Sequence, residues 1–468
     1  LPRVGDVLKR NVILPKHVPR DSFLTRGVTG RAAVWHDARM DDLAGSADRR
    51  MALAREWDGL VRRVRRLDGF TDFLRPPALE RLLPAAAGGP VVTVNVSQWR
   101  CDALIVRPGG VTVRALPGLT AQDAADHANH YLGTLHEAER AADEHEAARR
   151  RVRASGSMAD RQAAHRAALA LRDARTATEE MLAGLLGWLW DVVARPVLDE
   201  LGHHAAPGPG EPWPRLWWCP TGPLTLLPLH AAGHHEIPGE AVLDRVVSSY
   251  TPALRALLEA RKPLDPATAG AERLLVVALA DAPGQRFLPG VAGESGLLAE
   301  LFPDGRRTVL EGGGATREAV RRELSAHRWA HFSCHGDQNL TDPSRGGLVL
   351  HDEMLTIADI GAGHHHAEFA GLSACKTATG GVDLLDEAVT LAAALHYTGY
   401  RHVIGTLWSV HDTAGTGEVF GAVYRDLASG GRLRADGSAL ALHRATRALR
   451  ERHPALPSLW TPFTHTGP

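Results

Sequence analysis

The second half of this sequence predicts an α/β fold, a doubly wound, mostly parallel sheet with helices on both faces, on two observations. Apolar runs recur at 273–280, 307–310, 329–334, 367–374 and 401–408. Stretches of helical periodicity alternate with them, at 291–302, 316–326, 384–398, 414–428 and 438–452. Strands separated by helix-length crossovers pair in parallel, and the crossover helices cover the sheet.

Taken from the start of the chain, residues 1–88 read as a helical region. Its segment SADRRMALAREWDGLVRRVRRL carries apolar residues at helical spacing, and Pro76 and Pro77 end it. The chain opens on Leu1, so this region is expected to be the remnant of a truncated upstream part. At GPVVTVNVSQWRCDALIVRPGGVTVRALPG the period shortens to β-branched runs bounded by Gly and Pro, which predicts two or three paired strands. Residues 123–201 return to helical periodicity with a break at SGS, predicting a helical hairpin that packs through its apolar stripe or, alternatively, serves as a partner-binding arm. HHAAPGPGEPWP is a loop, RLWWCPTGPLTLLPLHAAG a short strand and a Pro-punctuated turn, and PLDPATAGAE the linker to the regular second half.

Composition narrows the function classes. With 53 basic and 54 acidic residues the 468-residue chain has a net charge of −1, so no global field steers it to nucleic acid or a membrane surface. Four scattered cysteines, Cys101, Cys219, Cys334 and Cys375, make no disulfide framework. No signal peptide and no apolar run near eighteen residues is apparent, since LLGWLWDVVARPVL is broken by Asp191, Arg195 and Pro196. The expected compartment is a reducing cytoplasm.

In an open parallel sheet, catalytic groups gather beyond the carboxyl ends of the strands. His335 and Gly336 follow the 329–334 run, Cys375 follows the 367–374 run, and Asp412 follows the 401–408 run. An ordinary cysteine, with a pKa of about 8.5, is only a few per cent thiolate at neutral pH, and a neighbouring imidazole that takes its proton makes it a nucleophile. His335 would be that base and then the acid toward a leaving amine. The amides of Gly336 and Cys375 would face the developing oxyanion. A lone strand-end cysteine is more often a small buried hydrophobe, and it is the pairing with His-Gly that raises the catalytic reading.

These stretches resemble the CHAT domain of the caspase-like cysteine peptidases, relatives of caspases, separase and gingipains. HFSCHG, GLSACKTATGG, DEAVTLAAAL, VIGTLWSVHD and SLWTPFTHTG carry the resemblance, with weaker matches at WCPTGPLTLLPLHAAG, VSSYTPALRALL and LPGVAGES. The ordered set runs from Gly89 to Gly467. The resemblance implies a caspase-like fold of two halves: a pseudo half at 89–270 with a helical insertion at about 119–201, and a catalytic half at 271–468. It implies His335 as catalytic histidine, Cys375 as nucleophile, and Asp412 in a pocket for a basic P1 side chain. Asp412 also stands where it would cap a helix starting near Thr413. Many family members carry an upstream tetratricopeptide array, and no 34-residue repeat is visible here.

Other constellations carry less. His364-His365-His366, His234-His235 and His203-His204 match no zinc spacing, and no HExxH occurs. Ser373 lacks the glycine two residues on that a hydrolase elbow needs, and EGGGATRE lacks a phosphate-binding lysine. Cys334 and Cys101 are expected to be structural. The expectation is a bacterial, cytoplasmic cysteine endopeptidase of a defence or cell-death system with no cofactor and no metal. Its partners would be a protein or peptide substrate and a regulator at the N-terminal region or the hairpin. The rival is a non-catalytic caspase-like scaffold.

Overall fold

Val, Ile and Leu in short runs flanked by turn residues become strands here, and the sheet they build is continuous through most of the chain. The computed structural model describes residues 51–67, 73–75, 77–264, 271–339, 342–374, 377–379, 390–408, 414–429 and 432–468. Two compact units are present, residues 1–82 and 83–468. The described part of the first is a helix at 51–64 and a single 3-10 turn at Leu79–Arg81.

The second unit opens with β1 (Val91–Asn95), β2 (Asp102–Arg107) and β3 (Gly110–Ala115), an antiparallel meander whose three strands match the predicted β region. β4 (Arg215–Pro220) and β5 (Val247–Tyr250) extend it in parallel. β6 (Ala271–Ala278), β7 (Arg307–Glu311) and β8 (His327–Ser333) come next, and then a separate small sheet of β9 (Gly336–Asp337), β10 (Gly347–Val349) and β11 (Met354–Thr356). β12 (Ala367–Ser373) and β13 (Tyr400–Thr406) complete the five parallel strands predicted for the second half. After a two-stranded ribbon, β14 (Ala428–Ser429) and β15 (Arg432–Leu433), β16 (Phe463–Thr466) runs antiparallel to β13 and parallel to β5. It joins the strands of both halves into one eleven-stranded sheet, β3-β2-β1-β4-β5-β16-β13-β12-β8-β6-β7.

The predicted hairpin is α1 (Ala121–Ser155) and α2 (Met158–Leu189). Thr120 and Ser157 cap the two N-termini by accepting the amides of Asp123 and Asp160, and Gly156, at φ 63°, makes the left-handed turn between them. A π turn at Trp190–Ala194 leads into Arg195–Leu201. The whole helical stretch Met158–Leu201 is long and apolar enough to cross a membrane by length and composition, a count that alanine and glycine raise although no unbroken apolar run exists. Its apolar side is spent on the core: Leu182, Leu185, Leu189, Trp190 and Val193 are buried with Tyr131 of α1 and Val92 and Val94 of β1.

Among the described residues, the helices expected between and after the second-half strands are α3 (Gly290–Leu301), α4 (Arg317–Leu324), α5 (Leu391–Tyr397), α6 (Ala414–Leu427) and α7 (Ser438–Arg452). Successive strand residues point to opposite faces. Val276, Trp329, Phe369 and Ile404 accordingly pack under α3, α6 and α7, while Leu275, Val277, Phe332 and Leu372 pack under α4 and α5. Residues 384–389 of the predicted 384–398 helix lie outside the described residues.

Candidate active site

β8 and β12 are neighbours in register, with Ser333 opposite Ser373 as the last pair of their ladder. Each strand reaches a proposed catalytic residue two positions further on, His335 and Cys375. Parallel pairing therefore carries two segments, distant in sequence, to one edge of the sheet. Cys375 and Asp412 themselves lie outside the described residues.

His335 is 9% exposed, and its Nε2 lies 2.6 Å from the main-chain oxygen of Arg286, in the loop after β6. A carbonyl oxygen only accepts, so Nε2 carries the hydrogen. Nδ1 is left as the nitrogen that can act as a base, and the carbonyl remains an acceptor when the ring becomes an imidazolium. The backbone of His335 is held as well, since its carbonyl accepts the Val349 amide at 2.8 Å. Gly336 enters β9 and pairs with Leu348. The small β9–β11 sheet thus anchors the chain just past the histidine, a support with no counterpart among the sequence expectations.

The chain on either side of Cys375 is pinned to the end of β13. The Thr406 hydroxyl donates to the Ala374 carbonyl at 2.7 Å, and the Thr406 amide donates to Thr377 Oγ1 at 2.9 Å. The Ala378 amide closes the set on the Thr406 carbonyl at 2.8 Å, and the Thr379 hydroxyl donates to the Leu407 carbonyl. Gly405 is required beside this turn, because a Cβ there would stand 2.9 Å from Thr377 Oγ1. Cys334 is 2% exposed and packs in the cluster that holds Phe332 and Leu372, on the sheet face opposite His331.

Beneath the strand ends sits a carboxylate that sequence reading did not single out. Glu294 of α3 is 8% exposed. Its Oε2 accepts from Ser333 Oγ at 2.7 Å and from His331 Nε2 at 3.1 Å, and its Oε1 accepts from Ser373 Oγ at 2.8 Å. Burial works to raise this carboxyl, and the donors from His331, Ser333 and Ser373 outweigh it, holding the group below the usual carboxylate range. His331 Nδ1 lies 3.1 Å from the Tyr424 hydroxyl of α6. A small cavity of about 40 Å³ opens beside the cluster, lined by Leu288, Glu294, Ser333, Ser373 and Thr416. The signal in the sequence was a glutamate in the middle of the apolar stretch LPGVAGESGLLAEL.

The family model described as the CHAT domain matches residues 183–468, which include every element that flanks this site. The chain belongs to the CHAT domain family. The family match begins inside α2, later than the Gly89 from which the sequence motifs were ordered. Two crystal structures of the Saccharomyces cerevisiae separase–securin complex are similar in fold to this CHAT protein, with TM-scores of 0.54 and 0.53 at 11% identity. Each likeness covers 83% of this chain, which spans 30% of the matched chain. No curated protein sequence matches the chain. At that identity the likeness is one of fold, and the fold is the caspase-like one: a large, mostly parallel sheet between helices.

Proposed function

We propose that this CHAT protein is a cysteine endopeptidase using His335 and Cys375. The observation that carries the reading is the Ser333–Ser373 pair, which ends the ladder two residues short of both groups. Nδ1 of His335 takes the thiol proton, and the sulfur attacks the scissile carbonyl carbon. The amides of Gly336 and Cys375 receive the oxyanion, each donor contributing about 3–4 kcal/mol in the transition state. The C–N bond breaks as the imidazolium returns its proton to the amine, and the ring then activates water to release the acyl group as a carboxylic acid. The Arg286 carbonyl keeps the ring oriented throughout.

Asp412 is assigned to the P1 pocket, where a carboxylate favours Arg or Lys through charge-assisted hydrogen bonds. The site of action is a reducing cytoplasm, where a thiol nucleophile persists, and a protein partner at the helical hairpin or the N-terminal region regulates it. The decisive experiment is peptide cleavage by purified Cys375→Ala and His335→Ala variants: both are expected to be inactive with wild-type unfolding midpoints. Wild-type turnover by either one returns the chain to the scaffold class. Asp412→Ala is expected to abolish a preference for arginyl over alanyl P1 peptides, and an unchanged preference removes it from the pocket.

A further inference from the structure

Glu294 costs the fold a buried charge at a place where a leucine of similar size would pack without that cost. Its three donors come from two strands that carry different halves of the proposed dyad. His331 and Ser333 lie on β8, four and two residues before His335, and Ser373 lies on β12, two residues before Cys375. Both hydroxyls leave the same sheet face from directly paired positions and end on the two oxygens of one carboxylate. The backbone ladder fixes how these strands lie up to that pair. Past it, among the described residues, no ladder partner between the two strands sets the spacing of the segments beyond.

The rest of the cluster fixes the carboxylate in turn. α3 supplies Glu294, α6 supplies Tyr424, and His331 stands between them with Nε2 on the carboxylate and Nδ1 beside the phenol. The imidazole packs edge-on against Phe420 and Tyr424, with ring centroids 5.4 Å apart in both cases. Gly371 on β12 leaves room for this arrangement, since a Cβ there would stand 2.9 Å from the Tyr424 hydroxyl and 3.1 Å from His331 Nδ1. One carboxylate, held from two helices, therefore grips the last paired residues of both strands.

We propose that Glu294 is a positioning residue that sets the spacing of His335 and Cys375 by clamping Ser333 and Ser373. This rests on the dyad reading above, and the test separates the two. The rate of Cys375 alkylation by iodoacetamide is measured from pH 5 to 9 by peptide mass mapping on the full chain. The variants are His335→Ala, Glu294→Gln and the Ser333→Ala/Ser373→Ala double, and each is also given an unfolding midpoint. In the wild type, a histidine-assisted thiol is expected to react at neutral pH at least about tenfold faster than in His335→Ala. Glu294→Gln and the double serine variant are expected to lose most of that advantage and to move the midpoint of the pH profile toward that of His335→Ala. Peptide turnover is expected to fall in kcat with KM nearly unchanged. Should Glu294→Gln fail to fold, the serine variant, which retains the carboxylate, carries the same prediction. A wild-type alkylation profile in folded Glu294→Gln and in the serine variant overturns the clamp while the dyad stands. Identical profiles for wild type and His335→Ala overturn the dyad and the clamp together.

Discussion

A histidine whose Nε2 is fixed on a main-chain carbonyl has one nitrogen left for chemistry, and this decides how His335 can act. That β8, which leads into His335 and Gly336, and β12, which ends two residues before Cys375, finish side by side at one edge was legible in the sequence, because two strand-like apolar runs joined by a long crossover pair in parallel. The Arg286 carbonyl was not legible, since a backbone atom has no letter. Nor was Glu294, whose donors lie 37, 39 and 79 residues away and become neighbours only through strand register. Gly371 reads as one more small residue in AEFAGLSA until the space above it is inspected. Gly371→Ala forces a methyl against the Tyr424 hydroxyl, His331 and Phe420, and overpacking of this kind costs about 1–3 kcal/mol. Urea unfolding of the variant should show that loss at constant m-value; stability equal to wild type would mean the pair has room to move aside.

Elements were legible in proportion to their length. The five second-half strands and four of the helices expected between and after them have enough residues to display a period, and they stand within a few positions of where that period put them; α5 differs, starting at Leu391 after its cap Thr390 where the pattern put a start at 384. β9, β10 and β11 have two or three residues each, too few for any pattern to emerge, although they secure the chain after His335. β16 hides differently: Phe463–Thr466 reads FTHT, polar at three of four positions, and all four residues are buried. It tolerates this because His465 meets Ser249 Oγ at 2.8 Å and His402 at 3.1 Å, so the polar groups are satisfied inside the sheet. The end of β13 acts on the site as an element, through Thr406 and its bonds to both sides of position 375. Thr406→Val keeps the shape and removes the hydroxyl, leaving the Ala374 carbonyl without that donor at a cost of about 1–3 kcal/mol. We expect kcat for peptide cleavage to fall about tenfold, since roughly 1.4 kcal/mol in the barrier has that effect. Unaltered kinetics in a destabilised variant would limit Thr406 to a structural role.

At the scale of the whole molecule, the strands of both halves meet across β16, and buried histidines are concentrated there. His230 is held between the Tyr250 hydroxyl and the Thr461 carbonyl, and His465 bridges Ser249 of β5 and His402 of β13. Burial pushes His230 down to about 4, against the Thr461 hydrogen bond that raises it, and pushes His396 to about 4 in the same way. His443 falls to about 3 through burial and then the nearby Arg447, and burial, then His402, holds His465 well below the usual histidine range. A histidine with a folded value below its unfolded one binds more protons when unfolded, so stability rises with pH through that window. The contribution is complete above about 6.5 and is lost as pH falls toward 4, on the order of 3 kcal/mol each for the fully buried His230 and His396. Two such residues approach the net stability of an ordinary domain, about 5–15 kcal/mol. Unfolding free energy from urea titrations should therefore be level above pH 7 and fall steeply between pH 6.5 and 4.5. His230→Gln, which keeps polar atoms in that position without titrating, should be weaker at pH 7 and show a shallower slope below it. A wild-type curve that stays flat to pH 4.5 would mean that these rings find water or a counter-charge before the sheet parts at β16.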